Sequence, residues 1–130
     1  MSNFILKERE FDAVPNFLLE EVPSFGQSDE FNALDEKERK VPGLVCAAFA
    51  KRLVHLHQAF SPSNGGEAQR IELERYYAAI ERMATSPDPA VRNLVVVEVL
   101  GNIPDLDVLQ NEVEPHLKPK SLDLYNRWVH

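Results

Sequence analysis

The stretch SPDPAVRNLVVVEVLGN, residues 86–102, constrains this chain more than any other. It carries its own helix start: the Asp88 side chain can accept from free backbone N–H groups, and Pro89 suits the first helical position, where no N–H is needed. On a helical wheel Val91, Leu94, Val95, Val96, Val97, Val99 and Leu100 surround the axis, and a helix apolar all round is covered on several sides. Valines favour sheets, but the cap, the length of the run and the Gly101-Asn102 stop favour a helix. The segment predicts a buried central helix against which the remaining elements pack.

Those elements also read as helices. The first dozen residues are mixed and are expected to be ragged. Ala13–Val22 predicts a short helix with Phe17, Leu18 and Val22 on one side, Pro15 in its first turn and Pro23 closing it. Ser28, followed by Phe31 and Leu34, fits the start of a short amphipathic helix. Charge dominates from Asp35 to Lys40, which reads as a solvated helix end or a mobile loop. Pro42 opens a strong helix with Val45, Ala48, Phe49, Leu53, Leu56 and Phe60 at helical spacing, and the alanines at 47, 48 and 50 let another helix approach closely.

SPSNGG then breaks the chain. A third helix from about Glu67 to Thr85 carries the stripe Ile71, Leu73, Tyr76, Tyr77, Ile80, Met83 and Ala84, backed by Glu72, Arg75, Glu81 and Arg82 on the wet side. After the central helix, Leu106, Leu109 and Val113 predict a short helix ending before Pro115, and Leu122, Tyr125 and Val129 a last one with Trp128 beside them. Tyr125 and Trp128 either pack internally or form a sticky patch for dimerisation. No alternating strand pattern occurs. The expectation is a single all-α domain over residues 1–130: a compact bundle of five to seven helices, in HEAT-like pairs around the buried central helix.

Charge and motifs narrow the function. The net charge is −7, and residues 1–40 hold ten acids against five bases. Such a surface repels phosphate backbones, so nucleic-acid binding is disfavoured; it is ordinary for a soluble protein, and it also suits steering of a basic protein partner. The longest apolar run is far short of the ~20 residues of a membrane span. The opening MSNFILKEREFDAV has charges where a signal peptide needs its apolar stretch. A cytoplasmic protein that meets no membrane is the expectation.

Cys46 is the only cysteine and sits in the apolar run LVCAAFA, which predicts a buried, inert thiol. His55 and His57 are two apart and turn away from each other on a helix; a metal pair uses spacing four. His116 falls in a turn and His130 is the last residue. Solvated or locally hydrogen-bonded histidines are expected, with no metal and no cofactor. Ser61, Ser63 and Gly65-Gly66 form no phosphate loop, and no GxSxG, HExxH or Cys–His arrangement exists, so no enzyme activity is expected.

Glu98 stands out among the carboxylates, because it falls between Leu94 and Val95 in the most apolar arc of the central helix. It must have a partner or reach water. Arg52, Arg75 and Arg92 are the candidate partners; alternatively Glu98, with Asn102 one turn on, forms the floor of a recognition groove. Asp29, Glu30, Phe31, Asp35 and Glu36 mix acids with an apolar side chain, as a surface for a basic partner would; Phe31 is equally a core candidate.

Two resemblances follow from these segments. DPAVRNLVVVEVL resembles the second half of a HEAT-like repeat, in which D-P-x-V-R opens an inner helix; one copy is visible, which excludes a long array. The order VPSF, GLVCAAFAKRLVHL, VRNLVVVEVLGNI, HLKPKSLDLYNRW is similar to a family of small all-helical bacterial proteins without assigned activity, which look like immunity proteins of polymorphic toxin systems. The closest pieces are N-L-V-V-V-E-V-L-G-N-I, bracketed by Asn93 and Asn102, and K-P-K-S-L-x-L-Y-x-x-W. The resemblance implies a non-catalytic protein, monomeric or weakly dimeric, that neutralises a cognate toxin by occlusion. The alternative is a HEAT-like scaffold or interaction module unrelated to toxins.

Overall fold

In the computed structural model the described residues are 2–59, 66–103 and 106–129, and they form helices and turns with no strand. The helices are α1 (Ser2–Glu21), α2 (Asp29–Asn32), α3 (Pro42–Ala59), α4 (Glu67–Ala84), α5 (Pro89–Leu94), α6 (Leu106–Val108) and α7 (Pro119–Val129). The protein is an all-α bundle, as the periodicity predicts.

Helix α1 begins earlier than the Ala13–Val22 expectation, at Ser2, and Pro15 therefore lies inside it rather than in its first turn. Burial of Val14, Leu18 and Val22 offsets the hydrogen bond Pro15 cannot donate. Ser28 caps α2, its hydroxyl accepting from the Phe31 N–H at 3.2 Å. The charged stretch after α2 is held by a reciprocal pair: Asp35 N–H donates to Glu38 and Glu38 N–H to Asp35, each at 2.8 Å. This fixes a short 3-10 turn over Glu38–Lys40 where a solvated helix end or mobile loop is expected.

The aromatic centre joins three parts of the chain. Phe25 meets Phe31 and Phe49 edge-on, with ring centroids 5.3 and 5.1 Å apart, and Phe49 stacks on Tyr76 of α4 at 4.4 Å. The α3 and α4 stripes supply much of the remaining core, including Val45, Leu53, Leu73 and Ile80. Ile71 departs from expectation and is exposed. Five residues separate it from Tyr76, about 140° around a helix, so it leaves the face that Leu73, Tyr76, Tyr77 and Ile80 share. Phe60, Ser61, Ser63, Gly65, Pro104 and His130 lie outside the described residues.

Asp88 and Pro89 start the central segment as expected, Asp88 accepting from Ala90 N–H at 2.9 Å. Beyond Leu94 the helix widens into a π turn at Val95–Val99 and tightens into a 3-10 turn at Leu100–Asn102. Val91, Leu94, Val95, Val99 and Leu100 are buried, with the wide turn packed on α3. The segment is not covered all round: Val97 is 49% exposed, and Asn93 and Gly101, four residues to either side, share its open face. The C-terminal part follows the same pattern of short turns. A π turn at Leu109–Val113 follows α6, then a 3-10 turn at Glu114–His116. In α7 Tyr125 packs internally, whereas Trp128 is exposed.

Candidate functional site

An open groove of about 500 Å³ lies between α2 and the first four turns of α3. Its α2 side carries Asp29, Glu30 and Glu38; its α3 side carries Lys51 and His55; Ala33, Leu34, Leu44, Ala47 and Ala48 form the apolar floor. The α2 side exists because Ser28 caps the helix and Phe31, pointing the other way, is anchored in the aromatic centre. The α3 side is a helical stripe, since Leu44, Ala48, Lys51 and His55 recur at spacings of four, three and four.

Glu30 is the best-defined charge in the groove. Nine-tenths of its side chain is buried; one carboxylate oxygen is bonded to His55 Nδ1, and Arg52 lies 3.9 Å from the other, Oε1, which has no hydrogen bond. Burial pushes the Glu30 carboxyl up, but the His55 hydrogen bond, one from its own backbone N–H and the nearby His55 and Arg52 charges outweigh it and hold the group below the usual carboxylate range.

The expected partner-binding residues divide into separate places. Asp29 and Glu30 line the groove. Phe31 is core, under the Arg39 guanidinium at 5.0 Å from its ring centroid, and is not available to a partner. Asp35 is engaged with Glu38, and Glu36 is exposed beyond the groove lining. Glu38, Leu44, Lys51 and His55 belong to the groove and were not among the candidates. Sequence periodicity marks the core face of α3 through Val45, Ala48 and Phe49, not the neighbouring Leu44–Lys51–His55 stripe or its approach to α2.

Glu98 and Asn102 sit together away from the α2 wall, at the start of α3. Asn102 Nδ2 donates to the Glu98 carbonyl at 2.6 Å and to its carboxylate at 3.3 Å. The carboxylate packs on Gly43, where an added Cβ would lie 2.7 Å from Oε2. None of the three candidate arginines pairs with it: Arg52 faces Glu30, Arg92 donates to the Ser86 carbonyl at 2.7 Å, and Arg75 is exposed. Half-burial leaves Glu98 in reach of water, and the partial positive charge at the N-terminus of α3 favours it there.

A second cavity of about 330 Å³, between α1, α4 and α5, is lined by Glu10, Val14, Phe17, Met83 and Val91 among others. Its polar side chains are engaged: Ser86 donates to Glu10, and Arg82 pairs with Glu21 at 2.9 Å while covering Phe17. The histidines are locally bonded, His55 to Glu30 and buried His57 to Tyr77. Cys46 is buried, its thiol pushed up to about 12 by burial and then by the Glu98 charge. Among the described residues no helix is long and apolar enough to cross a membrane.

No curated protein and no solved structure matches the chain. A family model does, over residues 15–130, from α1 beyond its first turns through α7. The chain belongs to the family described as domain of unknown function DUF7674.

Proposed function

We propose that this chain is a non-catalytic cytoplasmic binding protein that neutralises a cognate toxin by occluding it, with the acidic α2–α3 groove as its contact surface. The observation that carries the reading is the groove itself: Asp29, Glu30 and Glu38 border a floor of small and apolar side chains. Acids around an apolar floor steer a basic partner inward and fix its register, while the floor supplies burial. A net charge of −7 adds to the attraction. The resemblance to immunity proteins, carried by the central segment and the C-terminal K-P-K-S-L, points the same way.

Co-expression with the product of the adjacent open reading frame tests this. Growth rescue by the wild-type chain supports neutralisation, and failure to rescue from a demonstrably toxic neighbour refutes it. In the purified complex, Asp29→Asn, Glu30→Gln and Glu38→Gln together should slow association about ten-fold and flatten its salt dependence. Unchanged kinetics would remove the groove from the interface. The alternative of a HEAT-like interaction module unrelated to toxins draws on the capped D-P-A-V-R start of α5 and the exposed Val97 and Trp128. Such a module would give complex formation without rescue.

A further inference from the structure

Resting on the partner-binding reading above, we propose that the α2–α3 groove receives an amphipathic helix of the partner, and that an arginine of that helix displaces His55 from the Glu30 carboxylate. The shape favours a helix. From Leu44 to His55 the α3 wall runs about 16 Å, three helical turns at ~1.5 Å per residue. Ala33, Ala47 and Ala48 keep the floor low, so a third helix axis can approach to the ~8–10 Å of ordinary helix packing. The α3 wall is a continuous helix facing the single turn of α2, and the α2 side has no strand edge, which suits the helix-in-groove mode of recognition rather than strand addition.

The charge selects the side chain. Glu30 is a half-filled cation site: Oε1 has no hydrogen bond, Arg52 is too distant at 3.9 Å to supply one, and His55 is the side chain bonded to the other oxygen. The His55 side chain is 56% exposed, so little packing holds it in place. Its removal uncovers the carboxylate toward the groove that both residues line. A guanidinium brings five donors in a planar fork and bonds both oxygens at once, which an imidazole nitrogen or an ammonium cannot do. Asp29 and Glu38 on the same side reinforce the attraction, and Lys51 opposite repels a second cation, which orients the incoming helix. A second copy of this chain is the less suitable occupant, because each carries −7.

The test uses the full chain and a defined probe: a capped peptide of about fifteen residues, with a Leu/Ala face flanked by one arginine. A twin peptide has citrulline, neutral and of the same shape, in place of the arginine. Calorimetry should show the arginine peptide binding about ten-fold more tightly than its twin. Glu30→Gln should abolish that difference. His55→Ala should strengthen binding of the arginine peptide several-fold and leave the citrulline peptide unchanged, with His55→Gln as a second variant should the alanine variant melt early.

Absence of binding, equal binding of the two peptides, or loss on His55 substitution parallel to loss on Glu30→Gln would overturn the proposal. So would a dimer in sedimentation that the peptide dissociates, since that makes a second copy the occupant. Growth rescue separates this inference from the function it rests on. Rescue by wild type that Glu30→Gln leaves intact refutes the groove assignment alone. The expected peptide results without rescue by wild type refute neutralisation alone.

Discussion

The Nε2 atom of His57 on α3 lies 2.5 Å from the hydroxyl of Tyr77 on α4, a buried polar bond between two apolar helix faces. His116 completes the group, stacked on Tyr77 with centroids 5.0 Å apart and tilted against His57 at 5.4 Å. Burial drives the Tyr77 phenol well above its usual range, so it stays protonated beside a neutral imidazole, whose tautomer sets which of the two groups donates. The same burial, with the neighbouring His116, lowers His57 to about 4.

A pH dependence follows. The folded value of about 4 lies below the 6.5 of a free imidazole, so the unfolded chain takes up this proton first as pH falls. The contribution is complete above 6.5 and drains away between 6.5 and 4, roughly 3 kcal/mol in total. Urea denaturation across that window should show wild type losing stability more steeply than His57→Gln. Parallel curves for the two would show that His57 does not carry the effect.

Glu81 of α4 caps a helix that begins 38 residues later. Its carboxylate accepts from the backbone N–H of Lys120 and of Ser121 and from the Ser121 hydroxyl, each at 2.9 Å. These are free donors of the first turn of α7, and a carboxylate there also faces the positive end of the helix. Glu81→Ala should destabilise the protein by about 2 kcal/mol, and Glu81→Gln, which keeps an acceptor, by about half that. Amide exchange over residues 120–125 should accelerate in step. Unchanged protection there would mean that α7 is held by Tyr125 and its neighbours alone.

Sequence periodicity reached as far as single faces. It found the buried sides of α3 and α4, the Asp88–Pro89 start and the Ser28 cap, because each is set by residues within a turn or two. It assigned Glu81 to the wet side of α4 because the donors Glu81 serves are remote in sequence. It enclosed Val97 because a run of valines carries no information about where a π turn rotates the helix. The groove was half legible: Asp29 and Glu30 were identified by charge, but His55 lies 25 residues from Glu30 and nothing local links them. For Glu98 the sequence offers an arginine partner or a groove floor shared with Asn102; none of the three arginines pairs with it, and Asn102 and the α3 terminus lie beside it.

Gly43 and Glu98 should be coupled. An alanine at 43 would place its Cβ 2.7 Å from Glu98 Oε2 and drive the carboxylate off the α3 terminus. Alanine also raises helix propensity over glycine by up to about 1 kcal/mol. In the Glu98→Ala background Gly43→Ala should therefore stabilise, whereas in wild type it should be neutral or destabilising. A coupling of about 1 kcal/mol is expected in the double-mutant cycle. Additive effects would mean that Glu98 relocates without cost.

Cys46 should report unfolding rather than reactivity. Its side chain is buried on the inner face of α3, and a thiol pushed up to about 12 holds almost no thiolate at neutral pH. Native protein should react with a disulfide reagent only as fast as it opens, with the rate rising in urea in parallel with unfolding. Cys46→Ala should cost less than Cys46→Ser, despite serine's closer size, because the hydroxyl would enter an apolar pocket at about 1–3 kcal/mol unless bonded. Rapid stoichiometric labelling of the native chain, or a serine variant as stable as the alanine one, would show that this face of α3 admits water.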